Sequence, residues 1–142
     1  MADLIYRRTV ITGQRLHVRR LRAVTTPAQG LHLKLASGRL FWHAIERFDD
    51  ATGGMAKGLR VPEIILWGDS PEVDLVCELE TADTELKVWN CWEDPRGPSG
   101  LNAWTGDAGM IVEANGNRTL FRCSAGYHAF SPTDLEVEIE FS

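Results

Sequence analysis

Hydrophobic and polar positions alternate along most of the chain with the two-residue period of a half-buried β-strand. The segment LEVEIEF at residues 135–141 is the clearest case, because its apolar residues form one face and its glutamates the other. The pattern predicts nine or ten short strands, at residues 4–12, 15–25, 31–36, 39–48, 61–67, 73–80, 86–93, 110–114, 117–124 and 135–141.

Turn residues separate the predicted strands, and many short strands joined by turns are typical of antiparallel sandwiches and barrels. Residues 40–48 also fit a helical pattern, but their short length and flanking turn residues favour a strand. Residues 49–60 contain three glycines and are expected to form a loop. The sequence therefore predicts a single domain over residues 1–142, an all-β antiparallel β-sandwich of jelly-roll type. A closed or partly open β-barrel is the alternative.

Asn115-Gly116 lies between two apolar, β-prone runs and is the strongest hairpin signal in the chain. A two-residue type I′ turn needs positive φ at both central positions, which Asn and Gly tolerate best. With these two residues as the loop, Glu113 is predicted to face Arg118 across the hairpin. Opposite charges would then lie across from each other, and apolar side chains would face apolar ones.

The strand predicted at residues 86–93 presents large side chains to both faces of its sheet. Trp89 and Trp92 point to opposite sides, because successive side chains of a strand alternate. We expect a loop or a second subunit to cover Trp89, with a stacking platform for a ligand as the alternative. Residues 94–109 form a long Gly- and Pro-rich loop, a type that is often functional. Trp104 in this loop either anchors it to the domain or lines a binding site.

The candidate ligand-binding residues are those of this strand and loop that combine stacking and polar groups: Trp89, Asn90, Trp92, Arg96 and Trp104. If the ligand is a sugar or another flat molecule, tryptophan supplies the stacking face. Asn90 or Arg96 would then supply the polar contacts.

Charge is unevenly distributed along a chain whose net charge is −5. The first two predicted strands are basic and the last is acidic, so we expect these strands to share a sheet and complement each other. A nucleic-acid partner is not expected, since the basic residues are not interleaved with aromatic ones. A membrane partner is not expected either, because the net charge is negative and no apolar run reaches transmembrane length.

The three cysteines form an odd set without a CxxC motif, which indicates reduced thiols and a cytoplasmic protein. No signal peptide is predicted, because the first twenty residues carry several arginines and no apolar segment. Cys91 lies in an apolar setting that would raise the pKa of its thiol and make it inert.

Metal binding and catalysis have little support in the sequence. The histidines, His17, His32, His43 and His128, are scattered without HxH or HExxH spacing, so no metal or other cofactor is expected. No GxSxG motif is present, and no Ser or Cys has a local activating context, so no catalytic residue is expected. Convergence of His32, His43 and His128 in one pocket would instead support a metal-dependent or cupin-like enzyme.

The order of several short motifs resembles that of a small family of uncharacterised bacterial all-β proteins. These motifs are WNxW at 89–92, Ala103-Trp104, AGMxVE at 108–113, Arg122-Cys123-Ser124 and Asp134-Leu135. They span roughly the C-terminal third of the chain. The resemblance implies a bacterial protein and carries no activity, site or cofactor with it.

The two-faced strands contain more large apolar groups than one sandwich core needs. They favour a non-catalytic cytoplasmic binding or protein-interaction module that self-associates as a dimer or binds another protein. A small ligand is a further partner that such a module can take. Two alternatives belong to other functional classes. One is the metal-dependent or cupin-like enzyme described above. The other is an immunity-type inhibitor of a bacterial toxin, since small acidic bacterial domains suit that role.

Overall fold

Antiparallel strands make up the regular structure of the described residues. A computed structural model describes residues 3–49, 54–68, 72–93, 101–104, 108–126 and 128–142, with side chains for all of these except 43–49 and 54–57. The strands are β1 (Tyr6–Ile11), β2 (Arg15–Ala23), β3 (Gln29–Leu35), β4 (Arg39–Asp49), β5 (Gly54–Val61), β6 (Glu63–Trp67), β7 (Val73–Glu78), β8 (Asp83–Glu93), β9 (Leu101–Asn102), β10 (Gly109–Asn115), β11 (Arg118–Ser124) and β12 (Leu135–Phe141). None of the described residues belongs to a helix long and apolar enough to cross a bilayer.

The strands form two antiparallel sheets, neither of which closes into a barrel. One sheet has the order β1-β8-β3-β6 with β9 added beside β8, and the other has the order β10-β11-β12-β2-β7-β4-β5. The first eight strands pair in a nested way: β1 with β8, β2 with β7, β3 with β6 and β4 with β5. The predicted all-β sandwich is confirmed, and the alternative of a closed barrel is wrong.

The hydrophobic core lies between the facing sides of the two sheets. Strict alternation in β3 and β12 buries every second side chain, such as Leu33 in one sheet and Ile139 in the other. Side-chain contacts between the described parts of the two sheets include the edge-to-face packing of the Tyr6 and Phe121 rings and the Arg8 guanidinium over Phe141. The Asn90 amide also donates a hydrogen bond to the Ser124 carbonyl oxygen of the other sheet. The core therefore forms where the alternation pattern places apolar residues.

The hairpin between β10 and β11 forms, but its predicted register is wrong. Asn115 pairs with Arg118, and Glu113 therefore faces Leu120 instead of Arg118. The loop is Gly116-Asn117, and positive φ occurs at Gly116 (64°) but not at Asn117, as in a turn with glycine at its first central position. The shift moves each partner by two residues, so every side chain stays on the same face. Hydrophobic alternation could not distinguish the two registers for this reason.

The region 49–60, predicted as a loop, contributes a strand. Residues 54–61 form β5, which pairs with β4 at the end of the seven-stranded sheet. Because a terminal strand has one neighbour and few apolar positions, its glycine-rich sequence does not show the period of a strand. The alternative helix at 40–48 is wrong as well, because β4 extends from Arg39 to Asp49.

Basic and acidic strands complement each other on the outer side of the seven-stranded sheet. β2 and β12 are neighbours, and Arg19 lies 3.5 Å from Glu138 across the pair. Further ion pairs connect Arg118 with Glu140 at 3.3 Å and Arg122 with Glu113 at 2.5 Å. The expectation that the basic and acidic strands share a sheet is confirmed for β2 and β12 and is wrong for β1, which lies in the five-stranded sheet.

Candidate functional site

The outer side of the five-stranded sheet carries three aromatic rings in contact. Trp89 of β8 and His32 of β3 are register partners, and their ring centroids lie 4.1 Å apart. Trp104 follows β9 and packs on Trp89 with a centroid distance of 5.2 Å. Trp89 is 7% exposed, while Trp104 remains 48% exposed. The chain itself thus covers Trp89, as predicted, and Trp104 anchors the segment that follows β9.

Trp104 adopts a left-handed backbone conformation, with φ at 61°. Such a conformation is uncommon for a bulky residue and persists where surrounding contacts hold it. The contact between the Trp104 and Trp89 rings is one such restraint. His32, on the other hand, is held by a 2.8 Å contact between its Nε2 and Glu63 Oε2. These rings are therefore fixed by neighbours within the chain.

The predicted site residues do not assemble on one surface. Asn90 and Trp92 are each 1% exposed and point into the sandwich, opposite to Trp89. Asn90 Nδ2 donates a 2.9 Å hydrogen bond to the carbonyl oxygen of Ser124 and so links the two sheets. Arg96 lies outside the described residues. Of the described members of the predicted set, only Trp89 and Trp104 are brought together on the outer face.

A cavity of about 430 Å³ opens at one end of the sandwich. Its lining comes from the end of β2 and the β2–β3 turn on one side, and from the ends of β3, β6 and β8 on the other. The described lining residues with polar or aromatic side chains are Arg20, Thr25, Gln29, Trp67 and Glu93. Both sheets therefore contribute to this site, which no single sequence segment predicts.

Main-chain hydrogen bonds hold the cavity walls together. Gly68 N donates to Gln29 O at 2.6 Å, which fixes the end of β6 beside the start of β3. Glu93 N donates to Ala28 O at 3.0 Å, which fixes the end of β8 on the other side of β3. Trp67 and Glu93 are thereby positioned on either side of Gln29. The walls are backbone-supported, as in pockets that exist before a ligand arrives.

Gln29 has a buried hydrogen-bond acceptor without a partner among the described residues. Its side chain is in the inward series of β3, and the residue is 1% exposed. Nε2 donates a 2.9 Å hydrogen bond to Pro27 O, and since a carbonyl only accepts, this bond fixes the orientation of the amide. Oε1 is left unpaired. An unpaired buried polar atom costs about 1–3 kcal/mol, so this amide oxygen is an unfavourable feature of the interior next to the cavity.

The rim of the cavity carries opposite charges. Arg20 and Glu93 are both exposed, and neither forms an ion pair within the part of the chain that the structure describes. Among the described lining residues these two carry the formal charges, one positive and one negative. The described part of the site therefore has charged groups near solvent.

The described histidines lie in separate places. His17 is on the outer side of the seven-stranded sheet, His32 is on the outer side of the five-stranded sheet, and His128 contacts Asp134 at 2.7 Å. The side chain of His43 lies outside the description. Among the described residues no group of three or more His, Cys, Asp or Glu side chains is arranged to hold a metal ion. Convergence of His32, His43 and His128 in one pocket, the arrangement that would support a metal-dependent enzyme, stays a prediction because the side chain of His43 is not described.

The three cysteines are buried and unpaired. Burial raises the pKa of the Cys77 thiol to about 11 and that of Cys91 to about 12. The pKa of Cys123 is also raised by burial. The expectation that burial makes the Cys91 thiol inert agrees with this direction, since the thiolate is the reactive form.

Sequence reasoning missed the cavity although one signal was present. The inward series of β3 runs Leu31, Leu33, Leu35, and Gln29 occupies the next position of that series towards the turn. A polar residue at an inward position has to find a partner or face a cavity. Arg20 and Trp67 gave no such signal, because only the tertiary fold brings them to Gln29.

Comparisons with known proteins identify no relative. No protein-family model, no curated protein and no solved structure matches the chain.

Proposed function

We propose that the protein is a non-catalytic binding module whose small ligand enters the cavity at the end of the sandwich. The observation that carries the proposal is the cavity itself, which both sheets line and whose walls are held by main-chain hydrogen bonds. The volume of about 430 Å³ lies within the range of about 300–1,000 Å³ found for small-molecule sites. A few polar groups on a largely pre-formed wall are the usual arrangement for orienting such a ligand.

We further propose that the first eight strands form a jelly roll. Such a fold contains eight strands and arises when a long antiparallel hairpin of strands is rolled into two sheets. The nested pairs β1–β8, β2–β7, β3–β6 and β4–β5 support it, because each strand of the first half meets its counterpart from the second. β10, β11 and β12 would then be an addition to the β2 edge of one sheet.

Self-association and a cytoplasmic location complete the proposal. Leu101 and Trp104 are 42% and 48% exposed beside β9, which provides apolar surface at a sheet edge. Three unpaired cysteines support a reducing compartment. Light scattering after size exclusion tests the dimer. We expect Trp104→Ser to shift the mass from dimer to monomer, and a monomeric wild-type protein would contradict self-association.

A cavity-filling variant tests the binding function. The purified protein is screened by thermal denaturation against monosaccharides, amino acids, nucleobases and short fatty acids. A compound at about ten times its Kd should raise the free energy of unfolding by about 1.4 kcal/mol. Ala28→Phe, which places a ring in the cavity, should abolish that increase. Ala114→Phe, at an exposed position of β10, is the matched control and should preserve it.

Two results would contradict the proposal. In one, no compound of the panel stabilises the wild-type protein. In the other, a stabilising compound acts equally on wild type and on Ala28→Phe, which would place its site elsewhere.

A further inference from the structure

β6 is an end strand of the five-stranded sheet, and one hydrogen bond gives the phase of its pairing with β3. Gly68 N donates to Gln29 O, so position 68 directs its main chain towards β3. The direction alternates along a strand, and positions 62, 64 and 66 therefore face β3 as well. It follows that Glu63, Ile65 and Trp67 direct their N–H and C=O groups away from the sheet.

These outward groups have no main-chain partner within the described part of the chain. They form a row of donors and acceptors on which a further strand can pair. The core beside this edge is accessible too, since the inward-facing Ile64 is partly exposed while its β3 partner Leu33 is fully buried. An added strand can therefore bury apolar surface as well as pair with the main chain.

The other strands at the margins of the two sheets are less suited to pairing. β1 carries two arginines, and charged side chains discourage pairing at an edge. β10 is already bonded at Met110 to the main chain of Asp3. β5 contains Gly58 in a left-handed conformation, with φ at 65°, which interrupts the extended edge. In β6, by contrast, Glu63 is followed by four apolar residues.

The side chains along β6 specify the chemistry of an added strand. Antiparallel addition continues the pattern of this sheet and places directly opposed side chains on the same face. Beside Ile64 and Leu66 the new strand faces the core, so apolar residues fit there. Opposite Glu63 a basic residue fits, because that side chain is 47% exposed although its Oε2 contacts His32 at 2.8 Å. The net charge of −5 also favours a basic segment.

We propose that β6 is a docking edge for an extended segment of another protein, which adds to the five-stranded sheet as an antiparallel sixth strand. The segment has apolar residues at the positions that face the core and a lysine or arginine opposite Glu63. Main-chain hydrogen bonds hold it, and the alternate side chains determine its specificity. This edge is separate from Trp104, which follows β9 on the opposite side of β8 from β3.

The test uses an acetylated and amidated synthetic peptide, TVTIK, titrated into the isotope-labelled protein and followed by NMR. Its central threonine is designed to lie opposite Ile65, its valine and isoleucine beside Leu66 and Ile64, and its lysine opposite Glu63. Saturating shifts and slower hydrogen exchange are expected at the Ile65 and Trp67 amides. The peptide TVTIE should bind about fivefold more weakly, because it places like charges opposite each other.

N-methylated peptides distinguish strand pairing from general apolar contact. The N–H of the central threonine is expected to donate to the carbonyl oxygen of Ile65. Methylating that nitrogen should weaken binding by about tenfold or more, since the bond is lost and a methyl group enters the interface. The N–H of the peptide's isoleucine points to solvent in this register. Its methylation is the matched control and should change the Kd by less than about twofold.

Variants of the protein provide the complementary test. Ile65→Pro removes the outward N–H but leaves the hydrogen bonds between β6 and β3 in place, an edge position at which proline is tolerated. It should abolish peptide binding. Ile65→Val keeps the N–H and should preserve it, and urea denaturation checks that both variants fold.

Four results would overturn the proposal. TVTIK does not bind the wild-type protein, or its binding persists in Ile65→Pro. The amides of Ile65 and Trp67 exchange slowly in the free protein, which would show that the edge is already paired. Light scattering finds a wild-type dimer that Ile65→Pro converts to a monomer, which would assign the edge to a second copy of this chain.

Discussion

At the residue scale, Thr119 shows how a single unpaired polar atom affects this core. It is fully buried, and its Oγ1 has no hydrogen-bond partner among the described residues. Thr119→Val keeps the shape of the side chain and removes the unpaired hydroxyl. We predict that the variant is more stable by about 1 kcal/mol, which urea denaturation can measure. A loss of stability of similar size would show that the hydroxyl has a partner, such as a buried water.

His17 gives the fold a pH dependence of predictable sign. Its hydrogen bond with Asp74 is the main cause that raises the pKa of His17 above 6.5, and Glu72 acts in the same direction. A raised pKa in the folded state means that the charged form contributes stability. That contribution is complete below the unfolded pKa and is lost as the pH rises through the folded pKa.

The measurement compares wild type with His17→Gln in urea denaturation between pH 5 and pH 9. We expect the stability advantage of wild type to be largest below pH 6.5, the unfolded value, and to shrink above it. The difference in the free energy of unfolding between the two proteins cancels contributions from His32, His43 and His128, which both proteins share. An advantage that grows with pH would contradict the account.

At the element scale, the sequence pattern predicts that β10 and β11 form a hairpin but does not determine the register of that hairpin. The hairpin was predictable because an Asn-Gly pair lies between β-prone runs. The register was not, because both registers place the same residues inside. The turn geometry decides it, with positive φ at Gly116 (64°) and not at Asn115 or Asn117.

This register predicts different effects for substitutions at two neighbouring residues, Gly116 in the loop and Asn115 at the end of β10. Gly116→Ala should destabilise the protein by about 1 kcal/mol, since an L side chain resists positive φ although no atom lies within 4 Å of the added Cβ. Asn115→Ala is the matched control and should change stability by less than about 0.5 kcal/mol, because Asn115 does not have positive φ. Thermal or urea unfolding of both variants gives the comparison. Destabilisation of similar size by both substitutions would support the register with Asn115-Gly116 as the loop, because that turn needs positive φ at both positions.

Strands with a strong pattern were predictable and strands at sheet margins were not. The sequence alternation alone predicts β12 and β8. In β8, one face is buried before Trp89, and both faces are buried from Trp89 to Trp92. β5 and β9 did not follow, because each lies at a margin with one partner and little apolar sequence. Edge pairing depends on the neighbouring strand and leaves little trace in the edge strand itself.

At the scale of the whole molecule, the sheet order explains why the burial of single residues was predictable from the sequence and the position of the cavity was not. Alternation predicts which residues face inward, so the burial of Trp92 and Asn90 follows from the sequence. It does not predict which strand ends meet. The cavity residues Arg20, Gln29 and Trp67 come from three strands in two sheets, and only the nested pairing brings them together.

The central claim is that a ligand occupies this cavity and not the exposed Trp104 surface. The most direct measurement is the set of intermolecular nuclear Overhauser effects between the labelled protein and the compound of the panel that stabilises it most. The account predicts effects from ligand protons to the methyl groups of Val24, Thr25 and Ala28, which line the cavity. Effects to Trp104 and Trp89, with none to those methyl groups, would contradict it and place the ligand on the outer face.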